Sequence, residues 1–427
     1  MSGAFHEIRG YKWIVVGILW FVCFFNYADR QAIFSVFPLL KSELRLTDVQ
    51  LGMVGASFMW TYALFGPIAG WLCDRLTRKT LILGGLIFWS LVTAASAFAH
   101  TYAQLLVCRA LGGLGEALYL PASMSLIGDY HGSATRSRAM SIHQSSVYAG
   151  TVAGGTVSGF VAQFYGWRSS FILLGGLGIL LGILVWRLLQ EPIRGMSDPC
   201  ARGELKSIRA DRKSTGGINE VLSSRPVLLL IAVFTGANFV AMVFLSWIPT
   251  FLYRKFNMSL SMAGLNGTIY LQGASVLGVL SGGLLADTLA KRPGSRRSGR
   301  MFTQSLGLIC GVPFLFLTGW TLSLPVLFLS MIGFGYGKGI YDSNIFASLY
   351  DVVSVEHRGI AAGIMNSLGW LGGSAAPILM AIGAEKYGMS ACISSTAAIF
   401  LLLGTLLLWA ACRVSVSAGA KAVDYPI

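Results

Sequence analysis

"GPIAGWLCDRLTRK", residues 66–79, closes one apolar run, turns on a cluster of charge and opens another. "SGGLLADTLAKR", residues 281–292, does the same much later in the chain. In both, an aspartate precedes a base by four residues: Asp74 with Arg78, and Asp287 with Lys291. A charged turn that returns once between apolar runs points to a chain built from two related halves.

The runs on either side classify the chain. Of 427 residues, 55% are hydrophobic and 12% charged, against ~25% charged in a soluble domain. Apolar stretches follow one another along the whole length, many of them near the ~20 residues a helix needs to cross a bilayer. Twelve are read, at roughly 12–36, 48–73, 80–99, 102–130, 136–164, 168–190, 226–253, 262–289, 300–319, 323–350, 358–383 and 390–412. The expectation is an all-α membrane protein with twelve transmembrane helices. No A-x-A-like cleavage site closes the first run, so it is expected to stay in the membrane.

Lys and Arg are retained on the cytoplasmic side. With the N-terminus inside, most of the 32 Lys and Arg fall in cytoplasmic segments. Only Lys41, Arg45, Arg168, Arg254, Lys255 and Lys386 fall in external loops. Both termini are therefore expected in the cytoplasm of a cell whose inner (plasma) membrane holds the protein. The net charge of +14 belongs to these short loops beside helix ends and does not indicate nucleic acid. The seven cysteines form no CxxC or Cys/His cluster, so neither a disulfide framework nor a metal site is expected. The polar, basic segment 191–225 reads as a cytoplasmic linker. It separates an N-terminal six-helix bundle, 1–190, from a C-terminal one, 226–427.

A second correspondence joins the halves. "GLGEALYLPASMSLIGDY", residues 113–130, faces "GYGKGIYDSNIFASLYDV", residues 335–352. Asp129 and Asp351 each close their span, and bases follow in the next turn, Arg136 and Arg138 after the first and Arg358 after the second. With Asp74, Arg75, Arg78, Asp287 and Lys291 they form a candidate cytoplasmic gate, in which acid/base pairs bind neighbouring helix ends and release them. The alternative is that they only mark topology.

Six charges lie deep in the spans: Asp29, Arg30, Arg109, Glu116, Lys338 and Asp342. Each costs ~2.5–3.5 kcal/mol in mid-membrane, which is why such residues pair, face cavities and carry function. At 1.5 Å per residue, Asp29 lies about 24 Å from the inner end of span one, and Arg109 about 10 Å below the outer end of span four. Across a ~30 Å core those heights nearly coincide. Arg109 and Glu116, seven apart, share a helix face, as do Lys338 and Asp342 at i,i+4. Such a set suits proton coupling, because moving an arginine from a buried acid to an anionic substrate changes that acid's affinity for a proton. Permanent ion pairs holding helices together are the alternative. His143, Asn344 and Asn366 are the leading uncharged cavity candidates, although an interhelical hydrogen bond explains each as well. The glycines of spans five and eleven, among them Gly150, Gly154, Gly363, Gly369 and Gly373, read as small-residue packing faces.

These residues resemble the major facilitator superfamily along essentially the whole chain. The most specific element is G-x-x-x-D-R-x-x-R-K at Gly70, Asp74, Arg75, Arg78 and Lys79. "NYADR" (26–30) and "CRALGGLGEA" (108–117) look like the anion:cation symporter group and its spinster-type relatives. "FWSLVTAASAFA" (88–99) and "EPIRG" (191–195) add to the spinster likeness. The resemblance implies two pseudo-symmetric six-helix bundles and a secondary active transporter. By the same likeness Asp29 and Glu116 are associated with proton coupling, Arg109 steers those acids, Arg30 meets the substrate's carboxylate, and Tyr27 and Tyr62 contact substrate. A positive cavity favours symport of a small organic anion such as a sugar acid with protons. A spinster-type carrier of lysolipid or another amphiphile is the alternative. No G-x-S-x-G, HExxH or P-loop suggests an enzyme. No cofactor beyond the coupling proton is expected, and the protein is expected to work as a monomer in the lipid bilayer.

Overall fold

The computed structural model describes residues 10–194, 196–197, 217–290, 296–354 and 357–423. Among the described residues the regular structure is helical, with no strand. In chain order the helices are α1 (Tyr11–Ser35), α2 (Phe37–Glu43), α3 (Asp48–Arg75), α4 (Arg78–Ser96), α5 (Tyr102–Ala117), α6 (Tyr119–Tyr130), α7 (Ser133–Tyr165) and α8 (Trp167–Leu188). They continue as α9 (Gly217–Ser223), α10 (Arg225–Lys255), α11 (Leu260–Ala290), α12 (Arg296–Trp320), α13 (Leu324–Asp342), α14 (Ile345–Val352), α15 (Arg358–Tyr387) and α16 (Met389–Val423).

Among the described residues, eleven spans are long and apolar enough to cross a membrane. The remaining expected crossing, span five, is α7, one continuous helix of 33 residues. It is diluted by His143, Gln144, several Ser and Thr, and glycines, so its length marks it better than its hydropathy does.

Helix ends follow local chemistry. Thr47 with Gln50 and Thr101 with Gln104 form capping boxes that satisfy the first N–H groups of α3 and α5. The turns α7–α8 and α15–α16 are each a single glycine, Gly166 at φ 82° and Gly388 at φ 81°, a conformation that costs other residues a Cβ clash. Spans four and ten are interrupted at matching places. The first breaks at Leu118 between α5 and α6, because Pro121 has no N–H for, and its ring crowds, the carbonyl of Ala117. The second breaks at Ser343 and Asn344, where short polar side chains compete with the backbone for hydrogen bonds.

The chain divides into two compact units, Met1–Thr215 with Ser259–Leu265, and Gly216–Met258 with Asn266–Ile427. The change of unit near residue 215 falls inside the polar segment 191–225. Within the first unit α1 packs on α7, α4 on α8, and α5 on both α3 and α4. Within the second, α10 packs on α15, α12 on α16, and α13 on α12. A Cβ on Gly335 of α13 would stand 3.1 Å from Leu271 Cα of α11, which supplies the counterpart of α5 on α3. Span for span these are the same partners, so the repeat read from two charged turns extends to the helix packing.

Glycine sets the closest crossings. A Cβ on Gly154 would stand 2.5 Å from Ala28 Cα, and one on Gly150 would stand 3.1 Å from Phe24 Cα, so α7 meets the backbone of α1 directly. Gly373 takes the matching place in α15, 3.1 Å from Met242 Cγ of α10. Gly363, in the same stripe, has nothing within 4 Å. Gly154→Val is therefore expected to lower stability by about 1–3 kcal/mol through overpacking, and Gly363→Ala to leave it unchanged or slightly raised. Melting temperatures of the purified variants in one detergent check this. Equal losses would mean that α1 and α7 are not held in direct contact.

Candidate functional site

The deep charges of the first unit come together around Arg30. Its Nε donates to Glu116 Oε2 at 2.6 Å. The guanidinium lies 4.7 Å from the Tyr27 ring, 5.1 Å from Phe58 and 4.4 Å from Tyr62. Arg109 approaches the same Phe58 ring from elsewhere, at 4.9 Å. One ring thus serves two guanidinium groups, an arrangement worth ~0.5–2 kcal/mol per contact. All four charged groups are buried: Asp29 is 2% exposed, Arg30 8%, Arg109 5% and Glu116 2%.

The glycines of "CRALGGLGEA" make this closeness possible. A Cβ on Gly113 would fall 3.1 Å from the Phe58 carbonyl carbon, and one on Gly115 would fall 3.2 Å from Trp89 Cβ. The helix α5 therefore lies against the backbones of α3 and α4, and Glu116, in its last turn, reaches Arg30 on α1. Asp29, one residue before Arg30, points elsewhere. Its Oδ2 accepts from Thr93 Oγ1 at 3.4 Å, and its Oδ1 is buried without a hydrogen-bond partner. Arg109 Nε is in the same condition, and neither Asp29 nor Arg109 has an ion-pair contact among the described residues. The site holds one closed acid–base pair and one open one. Phe58 and Thr93 were not read as site residues: an apolar ring and a lone hydroxyl carry no sequence signal until the helices that hold them are packed.

The second unit supplies a smaller set. Lys338 and Asp342 form the i,i+4 ion pair that their spacing implies, with side chains 17% and 28% exposed. Between them in sequence, Tyr341 is 1% exposed, and its hydroxyl has no hydrogen-bond partner. Asn366 on α15 is half-buried, and no hydrogen bond engages it among the described residues. Asn344 is used by the fold instead. Its Nδ2 donates to the Gly282 carbonyl at 3.2 Å and contacts Ser343 Oγ at 2.7 Å, which ties the break of span ten to α11. His143 also sits in packing. It is fully buried, with Nε2 2.7 Å from Tyr119 Oη. That hydroxyl already donates to the Leu19 carbonyl at 2.6 Å, so the Nε2–H of His143 donates to it. The expectation that His143 lines a cavity is corrected, because its helix face turns toward α6 and α1.

The charged turns form one device in each unit, with different partners from those expected. Arg78, the first residue of α4, binds Asp129, donates through Nε to Glu191 Oε1 at 2.6 Å, and reaches the Pro192 carbonyl at 3.0 Å. The backbone N–H groups of Arg78 and Lys79 also donate to Glu191, at 3.1 and 2.7 Å, placing a carboxylate at the positive end of α4. In the second unit Arg300 donates to Asp351 at 2.6 Å. Both Arg–Asp pairs are separated by 51 residues, the signal from which Arg300 was legible and was missed.

The expected pairing of Asp129 and Asp351 with the bases that follow them is therefore corrected. Two of those bases, Arg136 and Arg358, bind the carbonyl ends of helices, where cations are favoured. Arg136 donates to the His131 carbonyl at 3.0 Å, and Arg358 to that of Tyr350 at 3.0 Å. Arg138 is exposed, 5.6 Å from the Trp13 ring, and Arg75 lies 3.9 Å over Trp71. The Asp74 carbonyl accepts from Arg194 at 2.5 Å. Asp287 is exposed without an ion pair among the described residues, and Lys291 lies outside them.

At the opposite end of the first unit, Glu43 binds Arg168 and accepts from Trp167 Nε1 at 2.6 Å. Burial by itself would raise this carboxyl, but the two hydrogen bonds and the Arg168 charge outweigh it and hold the group below the usual carboxylate range. A depressed acid contributes stability that is present above its unfolded value of ~4.3 and lost as pH falls through the folded one. Glu43→Gln is expected to lower the melting temperature slightly at neutral pH, and the gap should close on acidification below about pH 4. A gap independent of pH would show that the contacts of Glu43 do not depend on its charge.

The family model described as Major Facilitator Superfamily matches residues 19–377 and, in a second match, 252–422. The chain belongs to the major facilitator superfamily. Its architecture is that fold's twelve spans in two pseudo-symmetric six-helix bundles, and the protein is a multi-pass membrane transporter, not an enzyme. Among major facilitator proteins it is similar to a probable galactarate/D-glucarate transporter of Escherichia coli (strain K12), 27% identical over 393 residues, covering 86% of this chain and 85% of that one. A hexuronate transporter of Bacillus subtilis (strain 168) is 24% identical over 408 residues, covering 91% and 90%. In fold it is similar to a bacterial homolog of the human lysosomal transporter Spinster, solved inward-facing and unoccupied, with TM-score 0.81, 21% identity, and 96% and 98% coverage. Within the major facilitator fold, the Arg30 cluster occupies the broken-helix region of the first bundle, next to the interruption of span four.

Proposed function

We propose that this major facilitator protein is a proton-coupled symporter of a small organic anion of the sugar-acid class, working by alternating access. The observation that carries the reading is Arg30, held in a box of Tyr27, Phe58 and Tyr62 with Glu116 on its Nε. A planar guanidinium presents paired N–H donors to a carboxylate, and the rings fix its plane. The relatives named as galactarate/D-glucarate and hexuronate transporters support the same substrate class.

In the proposed cycle the substrate carboxylate takes the Arg30 fork, and Glu116, losing its cation, binds a proton. Asp29 and Arg109, close enough to act on each other electrostatically, form the second coupled pair. On the far side, release of the anion returns Arg30 to Glu116 and expels the proton. Tyr27, Tyr62 and Asn366 contact the substrate, and Lys338 with Asp342 is a second charge pair. Residues 1–190 and 226–427 are the two bundles, 191–225 is a cytoplasmic linker, and both termini are cytoplasmic in the inner membrane. The protein acts as a monomer with the proton as its only coupling species.

The test is uptake into proteoliposomes of hexuronates, aldarates, other carboxylates and lysolipid, with and without an inward proton gradient. Gradient-driven accumulation of a sugar acid is expected. Transport of lysolipid with no response to any carboxylate would replace this reading by an amphiphile carrier.

A further inference from the structure

The first unit carries a groove of about 670 Å³ away from the Arg30 cluster, bounded by α4 and α8. The volume is in the ~300–1,000 Å³ range of small-ligand pockets. Its walls are Leu83, Phe88 and Leu91 of α4 and Trp186 of α8, and Gly84 opens its floor. Phe88 is 37% exposed, Leu91 53% and Trp186 59%. Large apolar groups so exposed on membrane helices face lipid. We propose that this groove is a binding site for an anionic phospholipid of the inner leaflet.

Three features favour that occupant. The first is polarity along the groove: apolar over most of its length, it ends at Lys79 and Thr80, which also line it. The Lys79 ammonium donates once, to the Trp186 carbonyl at 2.8 Å, and has no carboxylate within ion-pair distance among the described residues. An ammonium has three donors, so two remain for a phosphate. The second is length. From Lys79 to Leu91 along α4 is about 18 Å at 1.5 Å per residue, close to the ~15 Å that one leaflet contributes to a ~30 Å core. A lipid whose headgroup sits at Lys79, at the edge of the core, lies along the groove over about one leaflet. The third is side. The basic turn containing Lys79 lies on the face that loop charges assign to the cytoplasm, where the leaflet is anionic.

The placement ties the lipid to the charged turn of the first unit. The backbone N–H of Lys79 donates to Glu191, and the adjacent Arg78 binds Asp129 and Glu191. A headgroup on Lys79 thus sits one residue from the charge cluster that joins α4, α6 and the segment after α8.

Native mass spectrometry of the delipidated full-length protein tests this, with equimolar phosphatidylglycerol and phosphatidylcholine of identical chains. The wild type is expected to retain phosphatidylglycerol about fivefold over phosphatidylcholine, the worth of one lysine near an anionic surface. Lys79→Gln should bring the ratio near one, and Lys79→Arg should keep it. Gly84→Leu should reduce retention of both lipids. A Cβ at Gly84 meets nothing within 4 Å, so this variant fills the groove without parting α4 from α8. A wild-type ratio of one, an unchanged ratio in Lys79→Gln, or full retention in Gly84→Leu would each overturn the assignment.

Discussion

Arg30→Lys is expected to weaken sugar-acid binding by roughly ten- to over a hundredfold, the equivalent of losing one charge-assisted hydrogen bond at ~1.5–3 kcal/mol. The positive charge survives the change, so the loss isolates geometry. Arginine's planar fork lies 4.4–5.1 Å from three aromatic rings and still offers parallel N–H groups to a carboxylate. Lysine offers a point charge that satisfies Glu116 or the substrate and does not stack. A lysolipid, bound through its chain at ~0.8 kcal/mol per CH₂, is far less sensitive. Dissociation constants for wild type and variant, measured by calorimetry at one fixed pH with the best carboxylate and the best lysolipid, separate the two. A ratio near one for the carboxylate, with tight lysolipid binding, would refute the anion reading.

Glu116→Gln is expected to abolish uphill accumulation and to leave exchange of substrate across the membrane measurable. The amide keeps the size of the acid, and its carbonyl still accepts from Arg30 Nε, but it has no proton to gain or lose. Removing the charge also leaves the buried Arg30 less compensated. Breaking a buried pair outright costs ~3–5 kcal/mol, and the retained hydrogen bond holds the loss below that. Counterflow in proteoliposomes with equal internal and external pH reports exchange, and uptake against a gradient reports coupling. If accumulation driven by a proton gradient survives in this variant, Glu116 is not the coupling group, and the same pair of assays on Asp29→Asn decides whether the open Asp29 is.

The deep charges were legible one at a time because charge in an apolar span is costly wherever it stands. Their pairing was only partly so. Rise per residue placed Asp29 and Arg109 at one height, yet height does not give rotation. The helix that brings Glu116 to Arg30 is set by Gly113 and Gly115 against α3 and α4. His143 shows the opposite error. A histidine in a span reads as a cavity residue until its neighbours are known, and Tyr119 takes its N–H. At the charged turns, nearness in sequence suggested Asp129 with Arg136 and Arg138, whereas Arg78, 51 residues away, binds it.

Composition and run length determined by themselves that the chain is a twelve-span helical membrane protein. A hydrocarbon core forces each span to close its own backbone hydrogen bonds, and ~20 apolar residues are what that requires. The recurring Asp-x-x-x-base turn determined the repeat. Which residues touch was decided only by tertiary structure, because side-chain contacts between helices depend on rotation and crossing as well as on depth. Phe58 between two guanidiniums, Thr93 on Asp29, Glu191 on Arg78, and the lysine-capped groove of α4 and α8 exist only once glycine-sized gaps have fixed how closely each pair of helices packs.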